Sequence, residues 1–284
     1  MPDGADMLAL LDQRVRGYGE REAIVAFSGG VDSSVVLAVA ARALGSDRVL
    51  AVTAASPAVP ETEIESAGDF AASLSVTHRV VATQEVSLEA YARNDAERCF
   101  HCKVELFGVL RRLAAEAGQR GAVLLAGTNA DDLTDIRPGV RANQLFGVRN
   151  PLADEGMTKA AVRSVAHELG LGTADKPAAA CLSSRIAHGI RIDPALLARI
   201  GTAEQMLRQL GFTDCRVRHF GQIAKIEVAG DEMWRIFAGG NRELIAMTLR
   251  ELGWSHVTLD LAGIQSGSMN STRAGVDLTD GHGF

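Results

Sequence analysis

Ser28-Gly29-Gly30-Val31-Asp32-Ser33-Ser34 is the stretch that decides the fold. The apolar run Ala23-Ile24-Val25-Ala26-Phe27 leads into it, and Val35-Val36-Leu37-Ala38-Val39-Ala40 follows. That order reads as a short buried strand, a glycine turn and the first turns of a helix. A helix start aims unpaired backbone N–H groups at whatever occupies the turn, which makes an anion site. Gly29 and Gly30 can take positive φ and let an anion approach the main chain, while Ser28, Ser33 and Ser34 add hydroxyls. Asp32 stands near the helix start, where a carboxylate is electrostatically tolerated and can hold a metal ion. The Gly-Lys-Ser/Thr ending of the common P-loop is absent, so no loop lysine is placed to reach a γ-phosphate. Such a site suits AMP transfer with pyrophosphate leaving. The competing reading, a solvated glycine- and serine-rich turn, is disfavoured by the buried strand before it.

Working outward, residues 5–18 read as an amphipathic helix, 48–53 as a second strand, 61–74 as a helix and 76–81 as a third strand. Ala122 to Ala126 gives a fourth strand, and 158–170 another helix. Strands alternating with helices predict an α/β fold, a parallel sheet with helices on both faces, with ligands at the carboxyl ends of the strands.

The chain of 284 residues is long enough for one large or two smaller domains. Its 47% hydrophobic and 23% charged content is that of a water-soluble globular protein. A net charge of −6 argues against a broad nucleic-acid surface. No signal-peptide layout and no membrane-length apolar run is present, so the expected location is cytoplasmic, with no membrane partner. Four cysteines in such a chain point to metal, redox or nucleophilic roles rather than a secreted disulfide scaffold.

Cys99-Phe100-His101-Cys102 opens a predicted helix running to about residue 118. A CxxC there brings two sulfurs to one helix end, where the dipole favours thiolates. Metal or iron–sulfur ligands, a redox pair and two unremarkable cysteines all remain open readings. The loop Gly127-Thr128-Asn129-Ala130-Asp131-Asp132 follows the fourth strand and falls on the same sheet edge as Ser28–Ser34. Its small residues admit a nucleotide, and Asn129, Asp131 and Asp132 can bind ribose, amine or metal. A helix N-cap with first-turn acids would account for much of the same pattern. Arg137 and Arg141 place two guanidinium groups nearby.

Lys176-Pro-Ala-Ala-Ala-Cys181-Leu-Ser-Ser184-Arg185 is the second informative stretch. A lone cysteine is most often a small buried hydrophobe. Hydroxyls and an arginine beside Cys181 favour an accessible, thiolate-leaning group. Beyond it, 186–192 reads as a strand, 194–210 as a helix, 215–220 and 223–228 as a hairpin across Gly221-Gln222, 241–252 as a helix and 256–261 as a strand. This β-α-β-β-α-β order predicts a smaller α+β, ferredoxin-like unit. The expected division is 1–180, 185–262 and a flexible tail 263–284. In Arg216-Val217-Arg218 both guanidinium groups share one strand face, able to hold a phosphate or carboxylate or simply to be solvated. Cys215 is expected to be a packing residue.

The segments SGGVDSS, RCFHCK, AGTNADDLTDIRPGVRA, DKPAAACLSSRIAHG, RVRHFG and SGSMN, in this order, resemble the ATP-dependent sacrificial sulfur transferases (the LarE family) of the PP-loop ATP pyrophosphatase superfamily. The resemblance covers nearly the whole chain. It implies an adenine nucleotide alpha hydrolase-like N-terminal domain, and an enzyme of nickel-pincer nucleotide cofactor biosynthesis that assembles as a homo-oligomer. Such an enzyme adenylates a carboxylate of pyridinium-3,5-biscarboxylic acid mononucleotide and replaces the activated oxygen with sulfur. Ser28, Gly29, Gly30, Asp32, Ser33 and Ser34 would hold ATP pyrophosphate and Mg2+. Cys181 would supply the sulfur, with Lys103, Ser184, Arg185, Glu204, Arg216 and Arg218 around the substrate. The resemblance also implies a variant in which Cys99, Cys102 and Cys181 hold a [4Fe–4S] cluster carrying sulfide. A PP-loop tRNA thiolase and a non-catalytic nucleotide-binding protein are the alternatives.

Overall fold

A computed structural model describes residues 4–116, 121–134, 139–177 and 180–265. The chain divides into two compact units, one of Met1–Tyr91 with Glu97–Ala179, the other of Ala92–Ala96 with the chain from Ala180 on.

In the first unit, helix α1 (Gly4–Gly17) leads to strand β1 (Ala23–Ala26) and helix α2 (Val31–Leu44). Strand β2 (Val49–Ala55), helix α3 (Glu61–Ser73) and strand β3 (Thr77–Ala82) follow. After a one-turn helix α4 (Glu89–Ala92) come the long helix α5 (Arg98–Glu116) and strand β4 (Val123–Leu125). Short helices α6 (Ala130–Thr134), α7 (Gly139–Leu145) and α8 (Pro151–Asp154) then lead to α9 (Lys159–Glu168), capped by the Thr158 side chain.

The sheet order is β3-β2-β1-β4, parallel throughout. Alternation along its central strands sends side chains to two cores. Val25, Ala51 and Leu125 face α1, α2, α3 and α9, while Ile24, Val52 and Leu124 face α5 and α7. Helices therefore cover both faces, as the apolar runs required. Ile24 and Val25 are fully buried, and truncating either to alanine should cost about 2–4 kcal/mol. The strand order reverses between β1 and β4, and a crevice opens at such a switch point above the carboxyl ends of the strands. The Ser28–Ser34 loop leaves β1 there, and the loop from Gly127 leaves β4.

The second unit is α+β. It holds a 3-10 turn (Leu182–Arg185), helix α10 (Pro194–Gln209), the antiparallel hairpin β5 (Cys215–Phe220) and β6 (Ile223–Val228), a 3-10 segment (Gly230–Phe237), helix α11 (Asn241–Glu251) and strand β7 (His256–Leu259). Its sheet differs in detail from a ferredoxin-like one. Three strands run in the order β5-β6-β7, and β6 and β7 are parallel. The segment expected as a strand at 186–192 forms only an isolated bridge, Ile186 with His219. Asn94 explains this: its amide Nδ2 donates to the carbonyls of Ala187 (2.9 Å) and Ile190 (3.0 Å), taking acceptors a ladder would need. Nearly all of the expected tail, and the SGSMN segment, lie outside the described residues, as does Arg137. No helix among the described residues is long and apolar enough to cross a membrane.

Candidate active site

Gly29 has φ +70, which an L side chain rarely adopts. Gly30 then caps α2 with extended backbone and no side-chain cap, so the first N–H groups of the helix point into the loop. The hydroxyl of Ser33 stiffens it, accepting from Ser28 N at 3.2 Å and donating to Gly30 O at 3.0 Å. Beside the loop lies a cavity of about 230 Å³. Its walls bring together Ser28, Gly30, Asp32, Ser33, Lys103, Gly127 and Thr128 of the expected residues. Gly29 and Ser34 are not among its walls; Ser34 is fully buried, and its hydroxyl has no hydrogen-bond partner among the described residues. Thr53 and Glu63 line the cavity without having been anticipated. Thr53 donates to Phe27 O at 2.8 Å, so its contact with His78 Nε2, also 2.8 Å, is one it accepts. Burial lowers the pKa of His78, which favours this neutral, Nε2-protonated ring.

Gly127 is where the two loops meet. A Cβ there would lie 2.7 Å from Ser33 N and 2.9 Å from the Asp32 carbonyl carbon, both backbone atoms. The carboxylate of Asp32 is held from two sides, by Asn129 Nδ2 at 3.0 Å and by an ion pair with Lys159 Nζ. Asp131 accepts from the backbone N of Lys159 at 2.7 Å. That contact, together with the reciprocal Asn129–Asp132 bonds at 3.1 Å, matches the helix-start reading of these acids. Thr128 Oγ1 accepts from Asn143 Nδ2 at 3.1 Å. Lys176 Nζ donates to Gly29 O at 3.1 Å and to Glu63 Oε2 at 2.7 Å. Two lysines thus reach a loop whose own sequence lacks one. Lys159 sits at a helix start and Lys176 opens the cysteine segment, but no local pattern tied either to Ser28–Ser34.

An oxygen ligand at a helix start beside a phosphate-sized cradle suits magnesium, which needs one or two carboxylates plus phosphate oxygens. Asp32 fits that ion. The cluster fares differently. Cys99, exposed, and Cys102, half-buried, stand one turn apart at the start of α5, yet among the described residues no three His, Cys, Asp or Glu side chains are grouped to hold a metal.

The second unit gathers the remaining expected residues. Cys181 is exposed at the start of the 3-10 turn, and its carbonyl accepts from Ser184 N (2.9 Å) and Ser184 Oγ (2.7 Å). Arg185 is buried, donating to Glu204 Oε1 at 2.8 Å, Ala180 O at 3.0 Å and Ser184 Oγ at 3.0 Å. Burial pulls the Arg185 pKa down, but the charge and hydrogen bonds of Glu204, with a smaller share from Cys181, outweigh it and raise it. Glu204 also accepts from Val217 N at 3.1 Å and Arg208 at 3.2 Å. Arg218 is buried on Glu227 (2.9 Å) and donates to Ser184 O at 3.0 Å. Arg216 is half-buried, and no side-chain hydrogen bond or ion pair among the described residues engages it. Burial, then repulsion from Arg185 and Arg218, lowers its pKa. Cys215 is buried, and its thiol pKa is pushed up to about 12, mainly by burial.

The NAD synthase family model matches residues 5–112, the span carrying the Ser28–Ser34 loop. An NH(3)-dependent NAD(+) synthetase of Thermotoga maritima is 36% identical over 73 residues, covering 26% of each chain. An uncharacterized protein of Synechocystis sp. is 39% identical over 254 residues, 89% of this chain and 94% of that protein. The pyridinium-3,5-bisthiocarboxylic acid mononucleotide synthase of Lactiplantibacillus plantarum is 35% identical over 248 residues, 87% of this chain and 88% of that protein. The nucleotide loop alone would place the chain only in a broad superfamily, whereas the likeness to the Lactiplantibacillus plantarum protein is long enough to run through the cysteine and arginine segments as well. The chain belongs to the LarE family of ATP-dependent sulfur transferases, within the PP-loop ATP pyrophosphatase superfamily.

Proposed function

We propose that the enzyme adenylates a carboxylate of pyridinium-3,5-biscarboxylic acid mononucleotide and converts it to a thiocarboxylate, with Cys181 as the sulfur source, in nickel-pincer cofactor biosynthesis. The observation that carries this reading is the setting of Cys181. It is an exposed thiol on a turn pinned by Ser184 and Arg185, and the charge of Arg185 acts on both it and the guanidinium of Arg216.

In the first step a substrate carboxylate oxygen attacks the α-phosphorus of ATP, and the bond to the β-phosphate oxygen breaks, releasing pyrophosphate. Magnesium, when bound, neutralises phosphate charge. The backbone N–H groups at the start of α2 and the ammonium of Lys103 receive the phosphates. The thiolate of Cys181 then attacks the acyl-adenylate carbon and AMP leaves, forming a thioester; a thiolate is a better nucleophile than water at neutral pH. Loss of the Cys181 α-proton, with cleavage of its Cβ–S bond, leaves dehydroalanine in the protein and sulfur on the product. Arg216 binds the substrate phosphate or a carboxylate. Arg185, Arg218 and Glu204 act by holding the turn, since their polar groups are already engaged with one another and with the main chain.

The reading is tested by pyrophosphate release, which should depend on the pyridinium dicarboxylate nucleotide. Release without it, or with transfer RNA in its place, would refute the substrate assignment. A sulfide on a [4Fe–4S] cluster held by Cys99, Cys102 and Cys181 has the one-turn spacing of the first two thiols in its favour. Anaerobically purified protein that is brown, contains iron and keeps its mass through turnover would select that source.

A further inference from the structure

Lys159 reaches the Ser28–Ser34 loop from the start of α9, more than a hundred residues away in sequence. Its amine pairs with the Asp32 carboxylate, whose other oxygen accepts from Asn129. Its backbone is fixed by Asp131, while the side chain is about a third exposed, at 33%. Lys176, the other distant lysine, is committed to Glu63 and to the Gly29 carbonyl. Lys159 is therefore the cation whose anionic partner is also the residue that suits magnesium. A metal ion and an ammonium compete for one carboxylate, because like charges at ion-pair distance repel. ATP removes the conflict, since its phosphates arrive with the metal and offer the displaced ammonium a new anion.

We propose that Lys159 is an exchangeable countercharge: it neutralises Asp32 in the nucleotide-free enzyme and moves to the phosphate oxygens of ATP when Asp32 takes the metal. The inference rests on the reading of this cavity as the ATP site. It makes metal and nucleotide binding mutually supportive, and coupling of this kind is reciprocal. It also gives the departing pyrophosphate a positive charge that the loop's own sequence does not supply.

The test uses the full chain and no turnover. Mn2+ is titrated alone and with α,β-methylene ATP, following free Mn2+ by electron paramagnetic resonance, in the wild type, Lys159→Met and Lys159→Arg. The wild type should bind Mn2+ at least about tenfold more tightly with the nucleotide than without it. Lys159→Met should bind Mn2+ alone about threefold or more tighter, because Asp32 has lost its competitor, and should bind nucleotide about tenfold more weakly. Lys159→Arg, which keeps the charge, should retain most of the coupling. Lys159→Met with nucleotide affinity within about twofold of wild type would overturn the proposal. So would weakened binding of Mn2+ alone, the result of a purely structural role, or folded Lys159→Arg that has lost the coupling. Wild-type protein that binds no nucleotide would instead overturn the ATP-site reading itself, and the inference with it.

Discussion

Arg185 and Glu204 form a buried two-point ion pair, Nε to Oε1 at 2.8 Å and the guanidinium NH2 to Oε2 at 3.4 Å. Their side chains are 7% and 1% exposed. Because Arg185 also holds Ala180 O and Ser184 Oγ, the residues on either side of Cys181 are tied to a charge fixed on α10. The thiol can thus be exposed and still well positioned.

Breaking this pair from one side leaves a buried charge uncompensated. Glu204→Ala should lose about 3–5 kcal/mol of stability in urea unfolding. The double variant Arg185→Met with Glu204→Leu should recover much of that loss, while sulfur transfer stays low. A double variant no more stable than Glu204→Ala would contradict this.

Gly127→Ala places a methyl against backbone atoms of α2 that cannot swing aside. Overpacking of this kind costs about 1–3 kcal/mol, and here it should also push the two loops apart. Calorimetry with α,β-methylene ATP should show at least about tenfold weaker binding, equivalent to about 1.4 kcal/mol. Unchanged affinity would mean that the loops need not touch.

Arg216 and Arg218 should separate cleanly, although both stand on the same face of β5. Arg218→Met removes the buried one of the two cations paired with the fully buried Glu227, leaving Lys225 alone on it, and should lower the melting temperature. Arg216→Met removes a cation already disfavoured by burial and by Arg185 and Arg218, so the fold should melt at the same temperature or slightly higher. Its effect should fall on binding: KM for the nucleotide substrate should rise about tenfold or more, with thermal stabilisation by that substrate lost.

The four cysteines should differ in reactivity. With its pKa raised to about 12 by burial, Cys215 stays a neutral thiol and should escape iodoacetamide at pH 8, while Cys99 and Cys181 react. The raised pKa makes the proton better held in the fold than in the unfolded chain. The resulting stability is therefore fully present below the ordinary thiol range and is lost as pH climbs through it toward the folded value. Peptide mass mapping of alkylated sites reads the first effect, and unfolding midpoints between pH 8 and 10 the second.

What could be read from the residues was local. The run 23–27 and the glycines after it specified strand, turn and helix start, and apolar strands alternating with helices specified a parallel sheet covered on both sides. The hairpin across Gly221-Gln222 was legible for the same reason. Three features were not legible, each because it depends on residues distant in sequence. Asn94 withdraws 186–190 from strand pairing across more than ninety residues. Lys159 and Lys176 arrive at the loop from helices and turns that carry no signature of it. Arg216 and Arg218 look equivalent by strand periodicity, and only the burial of Glu227 assigns one to the fold and leaves the other available.

Product and intact-mass analysis of a single turnover tests the role of Cys181 most directly. With ATP, magnesium and the pyridinium dicarboxylate nucleotide, the wild-type chain should release pyrophosphate, yield thiocarboxylate and lose the mass of hydrogen sulfide at residue 181. Cys181→Ala should still release pyrophosphate and transfer no sulfur. Thiocarboxylate formed normally by Cys181→Ala, or a wild-type chain of unchanged mass after stoichiometric transfer, would contradict the assignment of Cys181 as the sulfur source.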